Sequence, residues 1–242
     1  MTSPFVAAGF KGRAARFDSN DLLLASRLLD VPPVALRAVI AVETAGSGFD
    51  AAGRPTMLFE PHIFYRQMSG DAQNQAVQQG LAYPVWGTHP YPATSDANYD
   101  RLTSACAIDE RAALMSASWG LGQVMGLNFG QAGYASVQAM VVDAIDSEAG
   151  QIMAMCHFIK NNGLASALQR ADWAAFARGY NGPGYAQNRY DIKLAAYVSA
   201  HGGLSPSVSA VAEPATPPPT TTTDDLNAAE LALVSSRDTT RN

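Results

Sequence analysis

Apolar residues in this chain recur mainly at intervals of three and four, the spacing of one face of an α-helix. The most informative stretch is Val31 to Glu60. Pro32 and Pro33 open a helix, where a missing N–H costs little. Leu36, Val39 and Ile40 then form its apolar stripe, and Glu43, seven residues after Leu36, continues that stripe. A carboxylate so placed is either paired, with Arg37 or Arg54 as candidates, or desolvated. Gly46 and Gly48 follow, so Glu43 also sits in the last turn, at the negative end of the helix dipole. Desolvation and dipole both favour the protonated acid, and a carboxylic acid protonated at neutral pH can act as a general acid.

The same reading predicts the other elements. Residues 1–17 read as an irregular arm. Asp18 or Ser19 caps a helix ending near Leu29, with Leu22, Leu23 and Leu29 inward. After the Glu43 helix, residues 50–55 are turn material and Thr56 to Phe59 is a short strand, with Phe49 as its hairpin partner. His62 to Met68 is again helical. Residues 69–100 read as a long loop holding Tyr83, Trp86, Tyr91 and Tyr99 among Pro, Gly, Gln and Asn. Such loops are usually functional, and rings with polar neighbours suit a sugar-binding surface; the alternative is that they anchor the loop to the core. Helices are expected over 100–116, 137–144 and 148–160. Ser136 and Ser147 cap the second and third, and Asn162-Gly163 stops the third. Shorter helices follow over 165–170 and 172–179, and a last one runs from 188 to 201. The fold class is therefore α+β, mainly α: one domain over 18–203 with a small β-hairpin beside the Glu43 helix. Residues 204–242 form a Pro/Thr-rich flexible tail, with one weak helix over 224–236.

Charge and composition narrow the function. The net charge is −5, and residues 201–242 hold 5 acidic against 2 basic side chains. That is no polyanion-binding surface, so nucleic acid is not an expected partner. The first residues lack the charge-then-apolar order of a secretory signal, and no run of about 18 apolar residues exists to span a membrane. Cys106 and Cys156 read as reduced, buried thiols. The four histidines have no ligand spacing, so no metal and no cofactor is expected.

A second informative stretch is SASWGLGQVMG, residues 116–126. Gly120 and Gly122 permit close backbone approach to a ligand or to another segment, and Gln123 carries both a donor and an acceptor. A nucleotide loop is excluded. The third glycine of a dinucleotide fingerprint would fall at Met125, and no Lys-Ser/Thr pair follows.

The order Glu43, then Ser118 to Gln123, then Tyr180-Asn181-Gly182 resembles the lysozyme-like superfamily, including goose-type lysozymes and soluble lytic transglycosylases. The blocks AVETAGSGF, GRPTMLFEPHIFYR, SASWGLGQVMG and YNGPGYAQNRYDIKLAAY are similar to the N-acetylmuramidase domain of many phage endolysins, over roughly residues 20–200. The resemblance implies a lysozyme-like fold and cleavage of the β-1,4 bond between N-acetylmuramic acid and N-acetylglucosamine. It makes Glu43 the catalytic acid, and Gln123, Tyr180 and Asn181 residues that line the cleft or support the acid. Ser118 and Trp119 join them as candidate substrate contacts, Trp119 as the floor of a sugar subsite or else as core.

Glu60 ends the predicted strand, 17 residues after Glu43. It is the candidate second carboxylate, which glycosidases use as nucleophile or as base for the attacking water; the alternative is an ion pair with Arg54 or Arg66. Asp50 is a weaker candidate, because its setting is ordinary turn chemistry, and His62 reads as structural. The expected protein is a monomeric peptidoglycan hydrolase, made in the bacterial cytoplasm without a signal peptide and acting on the wall after release or export. One rival is a lytic transglycosylase giving 1,6-anhydro products. A rival of another class is an inactive wall-binding or virion structural protein.

Overall fold

The computed structural model describes residues 3–44 and 47–203; the expectations for Gly46 and for the tail after 203 lie outside the described residues. The elements, in order, are α1 (Pro4–Ala7), α2 (Ser19–Leu29), α3 (Pro33–Thr44), β1 (Met57–Phe59), α4 (Pro61–Gln67), α5 (Gly70–Gln78), α6 (Ser95–Cys106), α7 (Glu110–Met115), β2 (Ala117–Trp119), β3 (Val124–Met125), α8 (Val137–Asp146), α9 (Glu148–Asn161), α10 (Ala165–Gln169), α11 (Trp173–Asn181) and α12 (Tyr190–Ala200). No described helix is long and apolar enough to cross a membrane.

Local chemistry explains most helix ends. Asp18 and Asp21 form a reciprocal capping box at the start of α2, and Ser136 and Ser147 accept from Ala139 N and Gly150 N at the starts of α8 and α9. Each such cap satisfies backbone donors that the helix itself cannot. Leu36, Val39 and Ile40 of α3 are buried as their spacing predicts, and α3 packs against α2 and α12.

Four expectations are corrected. The arm before α2 is not irregular: it begins with the turn α1, whose Ser3 cap accepts from Val6 N, and it buries Phe5 and Phe10. The Phe10 ring lies 5.2 Å from Tyr99 and 6.2 Å from Trp119, centroid to centroid. Leu23 is 40% exposed, because it stands about 100° round α2 from Leu22. Residues 69–100 are not one loop, since α5 and the start of α6 occupy much of them. The single helix expected over 100–116 is two, broken where Asp109 accepts from Ala112 N and starts α7.

The β structure also differs from a simple hairpin. Phe49 does bridge Pro55 across the turn, but β1 pairs antiparallel with β2, placing Met57 opposite Trp119 and Phe59 opposite Ala117, and β2 continues into β3. The glycine-rich stretch is thus two strands and the turn between them. Gly120 (φ +66°) makes that turn, where a Cβ would stand 2.5 Å from Gln151 of α9; a Cβ on Gly122 would stand 2.6 Å from Met155. The close approach these glycines permit is to helix α9, not to a ligand.

Candidate active site

Glu43 lies in the last turn of α3 and is half-buried. Its Oε1 accepts a 2.7 Å hydrogen bond from Asn181 Nδ2 at the end of α11. Tyr180, the preceding residue, is 2% exposed and donates its hydroxyl to Gly122 O at 2.6 Å. Burial, and then the nearby charge of Glu43, hold the Tyr180 phenol well above its ordinary range, so it remains a donor. Its ring stacks on Phe176 and meets Phe158 edge-on. The Tyr-Asn pair therefore joins the acid on α3, the turn between β2 and β3, and the core beneath them.

Gln123, partly exposed, takes the left-handed conformation at φ +46°. Its Nε2 donates to Gly120 O (2.8 Å) and Thr56 O (3.2 Å), and its Oε1 accepts from Ser118 Oγ (2.9 Å). This carboxamide clips β1 to the β2–β3 turn and leaves one Oε1 lone pair for a ligand. Ser118 is 0% and Trp119 2% exposed. Trp119 donates Nε1–H to Leu114 O, inside the core. Ser118, Trp119 and Tyr180 are thus buried, and their polar atoms bond to protein partners. Alternate residues of a strand leave one face open only if that face lies uncovered, and here both faces of β2 are covered.

Glu60 follows β1 immediately, and its N–H donates to Ser116 O at 2.8 Å. Its side chain is 0% exposed. Oε2 accepts the hydroxyl of Tyr91 from the segment after α5. His62 Nδ1 lies 3.1 Å from the same oxygen, at ion-pair distance, although the ring is not aligned for a hydrogen bond. His62 is fully buried, as its structural reading expected. The buried Glu60 carboxylate is thus bonded by the Tyr91 hydroxyl.

The turn joining α3 to β1 is held from three sides. Asp50 accepts from Ala52 N, Arg54 N, Arg54 Nε and Ser95 Oγ. Burial alone would raise the Asp50 carboxyl, but the hydrogen bonds from Ser95 and Arg54 and the Arg54 charge outweigh it and hold it below its ordinary range. Arg54 also pairs with Asp96 and lies 4.3 Å over the Tyr99 ring. Asp50 organises the turn through these bonds.

Two residues that the sequence reading missed complete this frame, both on α9. Buried Glu148 accepts from Gly48 N (2.9 Å), Arg16 (2.5 Å) and Phe17 N (3.2 Å). Buried Gln151 donates to Gly48 O and Ala144 O and accepts from Leu121 N. They tie the N-terminal arm, the turn after α3 and the glycine turn to one helix. The available signal was a charged and an amide residue at i and i+3 on a helix with buried neighbours on both sides.

No group of three or more metal-ligating side chains exists among the described residues. Cys106 and Cys156 are free and buried, and burial pushes both thiols up to about 12, so neither serves as a nucleophile near neutral pH.

A helix-borne acid beside a small antiparallel sheet, in a mainly helical frame, is the arrangement of a lysozyme-type glycoside hydrolase. The chain belongs to the N-acetylmuramidase (muramidase) family, whose sequence model matches residues 32–201. It is also similar to a solved endolysin of the Burkholderia phage AP3, at 35% identity and TM-score 0.70, over 83% of this chain and 78% of that one. No curated protein sequence matches.

Proposed function

We propose that this protein is a phage endolysin that cleaves the β-1,4 bond between N-acetylmuramic acid and N-acetylglucosamine in peptidoglycan, with Glu43 as general acid. The observation that carries the reading is the setting of Glu43. It is half-buried at the C-terminal end of a mostly apolar helix, and Asn181 donates to one of its oxygens. In this reading the Glu43 carboxyl carries the proton that passes to the departing sugar oxygen. A protein that only bound the wall would have no need of an acid so placed.

Glu60 is the proposed second carboxylate, directing water to the anomeric carbon or forming a glycosyl intermediate. For it to act, the Tyr91 hydroxyl must move off Oε2. Substrate entering beside the segment that carries Tyr91 would supply that displacement. Gln123, with exposed surface and a spare lone pair, is the proposed contact to a substrate N–H or hydroxyl. Tyr180 and Asn181 are assigned to holding the acid. The proposed site of action is the bacterial wall, reached from the cytoplasm.

Mass spectrometry of digested peptidoglycan tests the reading. Products ending in reducing muramic acid are expected from the wild type, and Glu43→Gln should lower the cleavage rate by about 10²-fold or more while keeping its melting temperature. Dominant 1,6-anhydro products would make the enzyme a lytic transglycosylase and return Glu60 to a structural role. A folded Glu43→Gln variant of near-normal rate would remove the acid assignment.

A further inference from the structure

A groove of about 400 Å³ lies between α4, α5 and the segment after α5, away from Glu43; it is lined by Tyr65, Gln73, Asn74, Val77, Gln78 and Pro84. Asn74 and Gln78 are exposed, one turn apart on α5, so their carboxamides stand side by side. Each offers donors and an acceptor on one planar group, the pattern that adjacent hydroxyls and an acetamido group can satisfy. Gln73 Nε2 is committed to Tyr65 O (2.8 Å) and Met68 O (3.0 Å), which orients that carboxamide and leaves its oxygen as an acceptor. Val77, 45% exposed, the Tyr65 ring and Pro84 add apolar faces of the kind on which the C–H face of a pyranose packs.

Charge decides between the two parts of the wall polymer. None of the six lining residues is charged. A stem peptide carries carboxylates and amines that would need ionic partners when desolvated. A neutral N-acetylated sugar needs only hydrogen bonds and apolar contact. The volume falls in the range of small-molecule sites, about 300–1,000 Å³.

Position links the groove to the reaction. Tyr65 stands five residues beyond Glu60 on the chain into α4, which is about 7.5 Å of helix rise. Pro84 belongs to the same segment as Tyr91. A ligand seated in the groove therefore touches the segment that also carries Tyr91, the donor to Glu60.

We propose that this groove is an outer saccharide site, binding a neutral N-acetylhexosamine unit of the glycan strand beyond the residues cleaved. The proposal rests on the peptidoglycan-cleaving reading above and adds to it a means of favouring long strands. The full-length protein should be titrated with the β-1,4-linked tetramer of N-acetylglucosamine and followed by backbone amide NMR. Shifts are expected at Asn74, Val77 and Gln78. Replacing both Asn74 and Gln78 by Ala, two exposed positions, should leave the melting temperature unchanged, weaken tetramer binding about tenfold and raise KM on long purified strands to a similar degree with kcat retained, the loss of two hydrogen-bonding groups. Val77→Asp, which puts a charge in the groove, should act in the same direction. Unchanged binding and KM in these variants would overturn the proposal, as would shifts confined to the surroundings of Glu43. Shifts at α5 produced by a stem peptide but not by the tetramer would also overturn it and mark a peptide site. A wild-type protein that binds the tetramer in the groove but cuts no glycan would leave this site standing and remove the hydrolase reading.

Discussion

Asn181 Nδ2 donates to Glu43 Oε1 at 2.7 Å across a sequence separation of 138 residues. The bond joins the C-terminal turns of α3 and α11, and Tyr180 next to it is fastened to Gly122 in the glycine turn. The Glu43 carboxylate is therefore oriented by a side chain that follows a buried, hydrogen-bonded ring in the chain. Asn181→Ala should lower kcat by about tenfold with little change in KM, the signature of a misplaced group acting in the transition state. A donor to a carboxylate favours its charged form, so the limb of the pH–rate profile assigned to Glu43 should move to higher pH. An unchanged profile with unchanged kcat would separate Asn181 from the acid.

Glu60 and its Tyr91 donor can be tested together. Glu60→Gln should lower hydrolysis by about 10²-fold, as expected for loss of a catalytic carboxylate. Tyr91→Phe removes one hydrogen bond to it and should alter the rate by less than about tenfold. Steady-state rates on purified peptidoglycan read both variants. Full activity of Glu60→Gln would leave Glu60 as a buried structural group beside His62.

The Gln123 carboxamide serves three protein partners at once. Gln123→Ala strips hydrogen bonds from Thr56 O, Gly120 O and the buried Ser118 hydroxyl. Thr56 O and Gly120 O keep their bonds from Gly120 N and Gln123 N, so the main loss falls on the buried Ser118 hydroxyl. A loss of about 1–3 kcal/mol in urea unfolding is expected, along with lowered activity. Activity loss with full stability would instead make Gln123 a pure substrate contact.

Gly120 faces Gln151 so closely that an added Cβ would stand 2.5 Å from its side chain, at a φ of +66°. Gly120→Ala should destabilise the protein by about 2–4 kcal/mol, from overpacking and backbone strain together. Adding Gln151→Ala makes room for the methyl but removes the acceptor of Leu121 N and the side-chain donor to Gly48 O and Ala144 O. The two losses should therefore combine with a coupling term of about 0.5–3 kcal/mol. Simple additivity in denaturation experiments would mean that the two side chains do not share this space.

Acid sensitivity should arise at Asp50. Its carboxyl is held below its ordinary value by hydrogen bonds from Ser95 and Arg54 that outweigh burial. The folded state thus binds this proton less readily than the unfolded chain does. The resulting stability is fully present above the unfolded value, near pH 4, and is lost as pH falls through the lower folded value. Asp50→Asn should flatten the decline in melting temperature below about pH 4 and lower the plateau at neutral pH. An identical acid decline in wild type and variant would assign it elsewhere.

Much of this frame was legible in the sequence because local rules governed it. Asp18, Ser136 and Ser147 announced their helices by capping, and Leu36, Val39, Ile40 and Glu43 announced one face by spacing. The strands of the sheet were harder. Ala117 to Met125 looks like a glycine loop, because the pairing of Met57 with Trp119 depends on a partner 62 positions away, which no local pattern records. Helix α5 escaped notice because its buried face amounts to little more than Ala76 among Gln and Asn. Trp119 resembled a sugar platform for want of any sign that Phe10 lies against it. Glu148 and Gln151 read as ordinary helix residues, since most of their partners are backbone groups, Gly48 N, Phe17 N and Leu121 N, and Arg16 lies 132 positions away.

The packing of Phe10 on Trp119, with Arg16 and Phe17 N on Glu148, bears on where this catalytic unit begins. The family match starts at residue 32, yet the carboxylate that grips the turn after α3 is shared with residues 16 and 17. An excised version starting at residue 32 would leave Glu148 with Gly48 N but without its guanidinium, and would strip the Trp119 ring of one neighbour. The transplantable module is accordingly wider than the recognisable one. A fusion that grafts this activity onto another wall-binding partner should carry the chain from residue 3, and an N-terminal partner should be joined ahead of that point.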